Sequence, residues 1–270
     1  MNVFGDITKS NILEYKTSKD FVMKKSIIVC LVLSITFLSQ VLFADGWGSA
    51  KLSKNVQLAL ANDAIFQLNI DAGAGDLQIT GIADQSEISV AAKVFGEKLS
   101  DDDYVLTLLK KGDKALLIAK FNDNTYNNER IDLEISMPSS LALLVNDRSG
   151  DISIESVSNG LTLNDRSGDI NLNNIAGLVR IEDRSGDVVG KDLRGEVIIN
   201  DRSGEIYLKD VVGDVNIDDS SGDIRAINIS GVVTVADSSG DININGAADF
   251  RLKNDGSGDV SLRNIKRDLK

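Results

Sequence analysis

The sequence predicts an all-β fold, a single-stranded parallel β-helix (β-solenoid) built from 18-residue coils with two short strands each. Three observations carry this expectation. A five-residue phrase returns seven times at a constant step of 18 residues, the apolar residues between phrases fall two apart, and nothing after Ala64 shows the 3.6-residue apolar period of a helix.

The phrase reads Asp-Arg-Ser-Gly-Asp from Asp147, Asp165 and Asp183, and Asp-Arg-Ser-Gly-Glu from Asp201. It becomes Asp-Ser-Ser-Gly-Asp from Asp219 and Asp237, and Asp-Gly-Ser-Gly-Asp from Asp255. Between phrases the alternation Ile152/Ile154 then Leu161/Leu163, Ile170/Leu172 then Val179/Ile181, and Ile206/Leu208 then Val215/Ile217 gives each strand one inward face. The corner joining the two strands carries Val157, Ile175, Leu193, Val211 or Ile229, commonly followed two residues on by Gly177, Gly195, Gly213 or Gly231, where glycine would supply a positive φ. A hairpin of such short strands is marginal in water, so each strand needs a counterpart above and below it, about 4.8 Å away. A β-sandwich is the alternative architecture, but its strands need not obey a strict period. One coil departs from the rule: Phe250 and Leu252 fall one place early, which implies a one-residue bulge near Gly246 to Asp249.

Ahead of the array, residues 23–44 read as a secretory signal: Lys24 and Lys25, an apolar run from Ile27 to Leu38, then Val41-Leu42-Phe43-Ala44. The run is short for a membrane span, and the mature chain is expected to have none. Residues 1–22 are polar and unlike a signal, so they read as an extension ahead of a true start at Met23. Residues 45–63, with Trp47, read as an N-terminal tether or cap. Residues 64–140 read as irregular solenoid coils and residues 141–270 as the regular array, the two forming one continuous domain. In the first stretch, Phe66, Leu68 and Ile70 alternate before Asp71-Ala-Gly-Ala-Gly-Asp76, a degenerate first coil; strands follow at Ile88 to Val94, Tyr104 to Leu109, Ala115 to Phe121 and Ile131 to Met137.

The single cysteine, Cys30, lies in the signal, so the mature chain has neither disulfide nor thiol chemistry. Loss of the first 44 residues leaves 24 Lys/Arg (29 less 5) against 38 Asp/Glu (41 less 3), a net charge of −14. That acidity disfavours nucleic acid and anionic lipid as partners and suits an exported protein of the periplasm or cell surface.

Histidine is absent, which removes the commonest general base and most zinc sites. The acids and Ser149, Ser167, Ser185, Ser203, Ser221, Ser239 and Ser257 repeat identically, whereas catalysis needs a few unique groups in unequal environments. No catalytic residue, metal ligand or cofactor is therefore assigned.

The phrase has a structural reading. Asp147, Asp165, Asp183, Asp201, Asp219, Asp237 and Asp255 continue the inward row and can accept hydrogen bonds from the corner backbone. Gly150, Gly168, Gly186, Gly204, Gly222, Gly240 and Gly258 would take positive φ. Calcium is a functional alternative, since β-rolls place Gly-Asp turns at their corners, but those turns come every nine residues. Arg148, Arg166, Arg184 and Arg202 form an outward column. It reads either as a solvated salt-bridge ladder or as a ligand face that grips an anionic glycan.

The recurring Ser-Gly-Asp-Ile followed by Gly-x-Val-x-Ile, the strand Ile131 to Met137 running into Pro138, and the secretory signal resemble the bacterial putative-adhesin family, whose β-strand-repeat domain is of unknown function. The resemblance covers about Ala64 to Lys270. It implies a right-handed β-helix in the cell envelope and supplies no catalytic residues.

Two functional readings stand. One is a non-enzymatic, adhesin-like envelope or surface protein that binds or scaffolds an envelope protein or glycan through its flank. The other is a polysaccharide-active enzyme, whose groove would lie in the irregular part, where Asp101 to Asp103, Lys110, Lys111 and Arg130 break the pattern. The sequence sets no oligomeric state.

Overall fold

The computed structural model describes residues 51–122 and 128–266; the expected signal, the extension before it and Trp47 lie outside these. Among the described residues there are strands and no helix, so none is long and apolar enough to cross a membrane. In chain order the first seven strands are β1 (Leu52–Ala61), β2 (Gln67–Ala72), β3 (Leu77–Ile82), β4 (Glu87–Phe95), β5 (Tyr104–Lys111), β6 (Lys114–Phe121) and β7 (Arg130–Pro138). The array follows as β8 (Ala142–Asn146), β9 (Ile152–Glu155), β10 (Leu161–Asn164), β11 (Ile170–Asn173), β12 (Val179–Glu182), β13 (Val188–Arg194) and β14 (Val197–Asp201). It ends with β15 (Ile206–Val212), β16 (Val215–Asp219), β17 (Ile224–Ile229), β18 (Val232–Asp237), β19 (Ile242–Ala247), β20 (Asp249–Asp255) and β21 (Val260–Ile265).

From β8 onward the strands alternate between two sheets, and each pairs in parallel with the strand one coil away. Ile152, Ile170, Val188, Ile206, Ile224, Ile242 and Val260 stand in one file, and Leu143, Leu161, Val179, Val197, Val215 and Val233 in a second. This is the β-solenoid that the period predicts. Strand alternation drives it: along β9 to β12 every second residue is buried and its neighbours are not. The buried residues form one continuous core, each aliphatic side chain contributing about 1.5–3 kcal/mol of transfer free energy.

The amino-terminal part is stacked out of chain order. β6 and β7 form a coil on one side of β2 and β3, and β8 and β9 form the coil on the other side. Two of the strands expected to be solenoid coils run antiparallel instead: β4 lies between β7 and β1, and β5 pairs with β6. Tyr104 packs on Phe121, with ring centroids 5.7 Å apart, and Val56, Leu58, Leu60, Leu106 and Leu108 pack against the core from this end. Residues 45–63, expected to be a tether or cap, include an edge strand, β1, which pairs with β4.

Two local expectations are corrected. The chain has one residue fewer, not one more, at the corner before β20: Ile227 pairs with Asn245 at the usual step of 18, but Val232 pairs with Asp249. The register is restored by an extra residue at Lys253, between the pairs Val235–Leu252 and Ala236–Asn254. Gly177, Gly195 and Gly213 have positive φ (95°, 143° and 155°), whereas Gly231 does not. Gly231 is required by close approach, since a Cβ there would lie 2.4 Å from the carbonyl oxygen of Gly213.

Candidate functional site

The phrase makes every second corner of the solenoid, and each of its residues has a separate task. The first aspartates, Asp147, Asp165, Asp183, Asp201, Asp219 and Asp237, point inward and are 1–5% exposed; Asp255, on the last coil, is half-buried. Asp183 Oδ1 accepts the backbone N–H of Arg184 at 2.6 Å and of Ser185 at 3.3 Å. Asp165 and Asp201 repeat the contact with Arg166 and Arg202 at 2.6 Å, and Asp219 and Asp237 accept from Ser221 and Ser239.

The other carboxylate oxygens of this column are buried without a hydrogen-bond partner. Burial pushes Asp147, Asp183 and Asp219 toward the neutral form, Asp183 and Asp219 to about 6 and Asp147 to about 8. Neighbouring acids of the stack add to the shift, and the backbone N–H groups oppose it. Asp165 and Asp201 shift in the same direction, again chiefly by burial.

Glycine at the fourth position is enforced by the stack itself. Gly150, Gly168, Gly186, Gly204, Gly222, Gly240 and Gly258 have φ between 129° and 151°. A Cβ on Gly168 would lie 2.0 Å from the carbonyl oxygen of Gly150, and one on Gly186 only 1.9 Å from that of Gly168. The serine hydroxyls bond one coil back, Ser167 to the Arg148 carbonyl at 3.3 Å and Ser185 to that of Arg166 at 3.1 Å.

The fifth residue caps the next coil. Asp151 Oδ1 accepts the N–H of Asp169, and Asp169 Oδ1 that of Asp187, at 3.1 and 3.0 Å. The ladder extends down through Asp76, which accepts from Asp151, to Asp132, which accepts from Asp76. These carboxylates are engaged within the fold, and among the described residues no three acids converge as metal ligands.

Arg148, Arg166, Arg184 and Arg202 line an open groove of about 600 Å³. Its second wall is the column Asn146, Asn164, Glu182 and Asn200, and its floor holds Asp147, Asp165 and Asp183. Among the described residues, Arg166, Arg184 and Arg202 form no ion pair. The guanidinium groups of Arg166, Arg184 and Arg202, stepped by about 4.8 Å, present some 10 Å of fork-shaped donors, roughly two coil spacings, and Arg148 lines the same groove. Asn164 Nδ2 donates to Asn146 Oδ1 at 2.9 Å, which leaves the opposite wall lined with amides suited to hydroxyl groups. Glu182 and Asp71 are the opposing acids; Lys120 is paired with Asp71.

The charged residues of the irregular part do not gather into a second site. Asp101 pairs with Lys54 at 2.9 Å, Asp103 accepts the N–H of Ser100 at 2.6 Å, and Lys110 Nζ donates to the Asp63 carbonyl. Arg130 pairs with Asp132 at 3.2 Å and lies 4.0 Å over the Phe95 ring. A further column went unread in the sequence: Ser156, Asn174, Asp192, Asp210, Asn228 and Asn264 have φ from 53° to 62° at the other corner. Its signal was present, because Asn and Asp are the non-glycine residues that best tolerate this conformation.

No curated protein matches the chain. Solved structures similar to it include a putative adhesin from Bacteroides fragilis, 17% identical with a TM-score of 0.43, covering 78% of this chain and 97% of that one. Another is a putative cell adhesion protein from Clostridium sporogenes, 10% identical with a TM-score of 0.30, covering 78% of this chain and 98% of that one. The model of one family matches twice, over residues 48–189 and 97–269, an overlap that a repeating array allows. Together the two matches take in the described solenoid from end to end, and the chain belongs to the Toastrack DUF4097 family.

Proposed function

We propose that this chain is a non-enzymatic, exported protein of the cell envelope or surface that holds an extended anionic glycan along the groove of Arg148, Arg166, Arg184 and Arg202. The observation that carries the reading is the register of the four guanidinium groups over a floor of acids that burial holds toward neutrality. A linear polymer with one carboxylate per sugar has a repeat commensurate with the coil step of about 4.8 Å, so successive sugars can meet successive arginines. The cationic side chains of the groove are arginines, which stay protonated and offer no general base, and this favours holding a polymer over transforming it. The signal read at residues 23–44 supports export.

The test is binding of a polyuronate and of a neutral glucan to the purified chain by calorimetry, beside a variant with all four arginines changed to Ala. The expected result is polyuronate binding that weakens with salt, no glucan binding, and loss of polyuronate binding in the variant. Polyuronate binding that survives the four substitutions, or its absence from the unaltered chain, would overturn the reading.

A further inference from the structure

The groove is not uniform along its length. Its second wall is one file of sheet partners, Asn146, Asn164, Glu182 and Asn200, and the next residue of that file is Asp218. The column two residues on runs Arg148, Arg166, Arg184 and Arg202, and the next residue there is Ser220. Each coil therefore presents its own pair. Arg166 stands with Asn164 and Arg202 with Asn200, a guanidinium beside an amide. Arg184, between them, stands with Glu182. Both are exposed, and among the described residues Glu182, like Arg184, enters no ion pair. Arg148, at the end that holds Asp71 and Lys120, already has a partner. Past Arg202, Asp218 and Ser220 reverse the sign of the charge.

We propose that the groove selects a glycan in which acidic and neutral sugars alternate, its carboxylates meeting Arg166 and Arg202 and a neutral, N-acetylated sugar lying between them on Glu182 and Arg184. This rests on the glycan reading and narrows it.

Arg166 and Arg202 are two coils apart, about 10 Å, which is the advance of one disaccharide when each sugar spans one coil. At each of them a carboxylate can take a forked pair of hydrogen bonds, with the neighbouring amide left for a hydroxyl. A carboxylate on the middle sugar would instead lie beside Glu182, two like charges in one groove. An acetamido group suits that place, because its N–H can donate to the Glu182 carboxylate and its carbonyl oxygen can accept from the Arg184 guanidinium. Glu182 is thus the specificity-determining residue. It weakens the hold on a chain charged at every sugar and supplies an acceptor to one charged at every second sugar.

Calorimetry with two oligosaccharides of equal length tests this: a hexagalacturonate, and an unsulfated hexasaccharide of alternating glucuronate and N-acetylgalactosamine. Each is titrated into the parent chain and into Glu182→Gln. The expected result is that the parent chain binds the alternating hexasaccharide at least as tightly, although it carries half the charge. Glu182→Gln should lower its affinity relative to that of the hexagalacturonate by about fivefold or more, since one ligand loses a charged acceptor and the other loses a repulsion. Far-ultraviolet circular dichroism of the variant should match the parent, because Glu182 is exposed. Tighter binding of the hexagalacturonate to the parent chain, or an affinity ratio that Glu182→Gln does not move, would overturn the proposal and leave the glycan reading standing. A parent chain that binds neither oligosaccharide would overturn both.

Discussion

The backbone N–H of Asp187 donates to Oδ1 of Asp169, 3.0 Å away and one coil below. The same bond joins Asp169 to Asp151 and, farther along, Asp241 to Asp223 and Asp259 to Asp241. An acid at the fifth position therefore ties one coil to the next through side chain and backbone. Asp169→Ala removes the acceptor and should destabilise the chain by about 1 kcal/mol, whereas Asp169→Asn keeps an oxygen in place and should cost less than half of that. Urea unfolding of the two variants gives the comparison.

Glycine at the corners is a matter of space as much as of backbone freedom. Gly186→Ala would force a Cβ to within 1.9 Å of a backbone carbonyl in the neighbouring coil, at a φ of 133°. The coils must separate locally, and a loss of about 3 kcal/mol or more follows. Gly112, with φ 65° and nothing within 4 Å of the position, is the control: Gly112→Ala should cost about 1 kcal/mol. Equal losses at the two sites in thermal unfolding would remove the packing argument.

Buried acids give the molecule an unusual response to pH. Asp183 and Asp219 hold their protons to about pH 6 and Asp147 to about pH 8, against 3.8 for the free side chain. Between those values the folded chain binds more protons than the unfolded one, so stability falls as pH rises from about 4 to 8. Below about 4 both states are protonated and this contribution is flat. The thermal midpoint should be higher near pH 5 than near pH 8. Asp183→Asn with Asp219→Asn keeps the acceptors for the corner N–H groups and should flatten the fall between about pH 4 and 6. A pH profile identical to that of the parent chain would refute the assignment.

Much of this architecture is legible in the residues, and the exceptions have physical reasons. The step of 18 and the pairs such as Ile170/Leu172 specify a stacked file, because only parallel neighbours at constant register keep every aliphatic residue inward. Strand direction is another matter. β4 and β5 alternate as the parallel strands do, and alternation reports which face is buried, not which way the neighbour runs. One local signal did mark the reversal: Gly112-Asp113 is a two-residue link between the alternating runs of β5 and β6, the chemistry of a tight hairpin. The placement of β2 and β3 between later coils has no local signature, since it depends on pairings 47 and 75 residues apart.

At the groove, the spacing of Arg148, Arg166, Arg184 and Arg202 reveals the column but not its concavity. The second wall comes from Asn146, Asn164, Glu182 and Asn200, two residues earlier in each coil, and their apposition depends on how sharply the Asp corner turns. Asp101, Asp103 and Arg130 break the period because they hold the antiparallel strands and their loops, a task the sequence does not separate from catalysis.

The antiparallel strands lie wholly before Ala142 and the terminal coil wholly after Asp237, with interchangeable units between them. Inserting or deleting one 18-residue unit in that interval leaves both extremities intact and alters the span by about 4.8 Å. The molecule is in this respect a ruler: its reach can be reset in whole graduations by duplication or loss within the gene, without redesigning either tip.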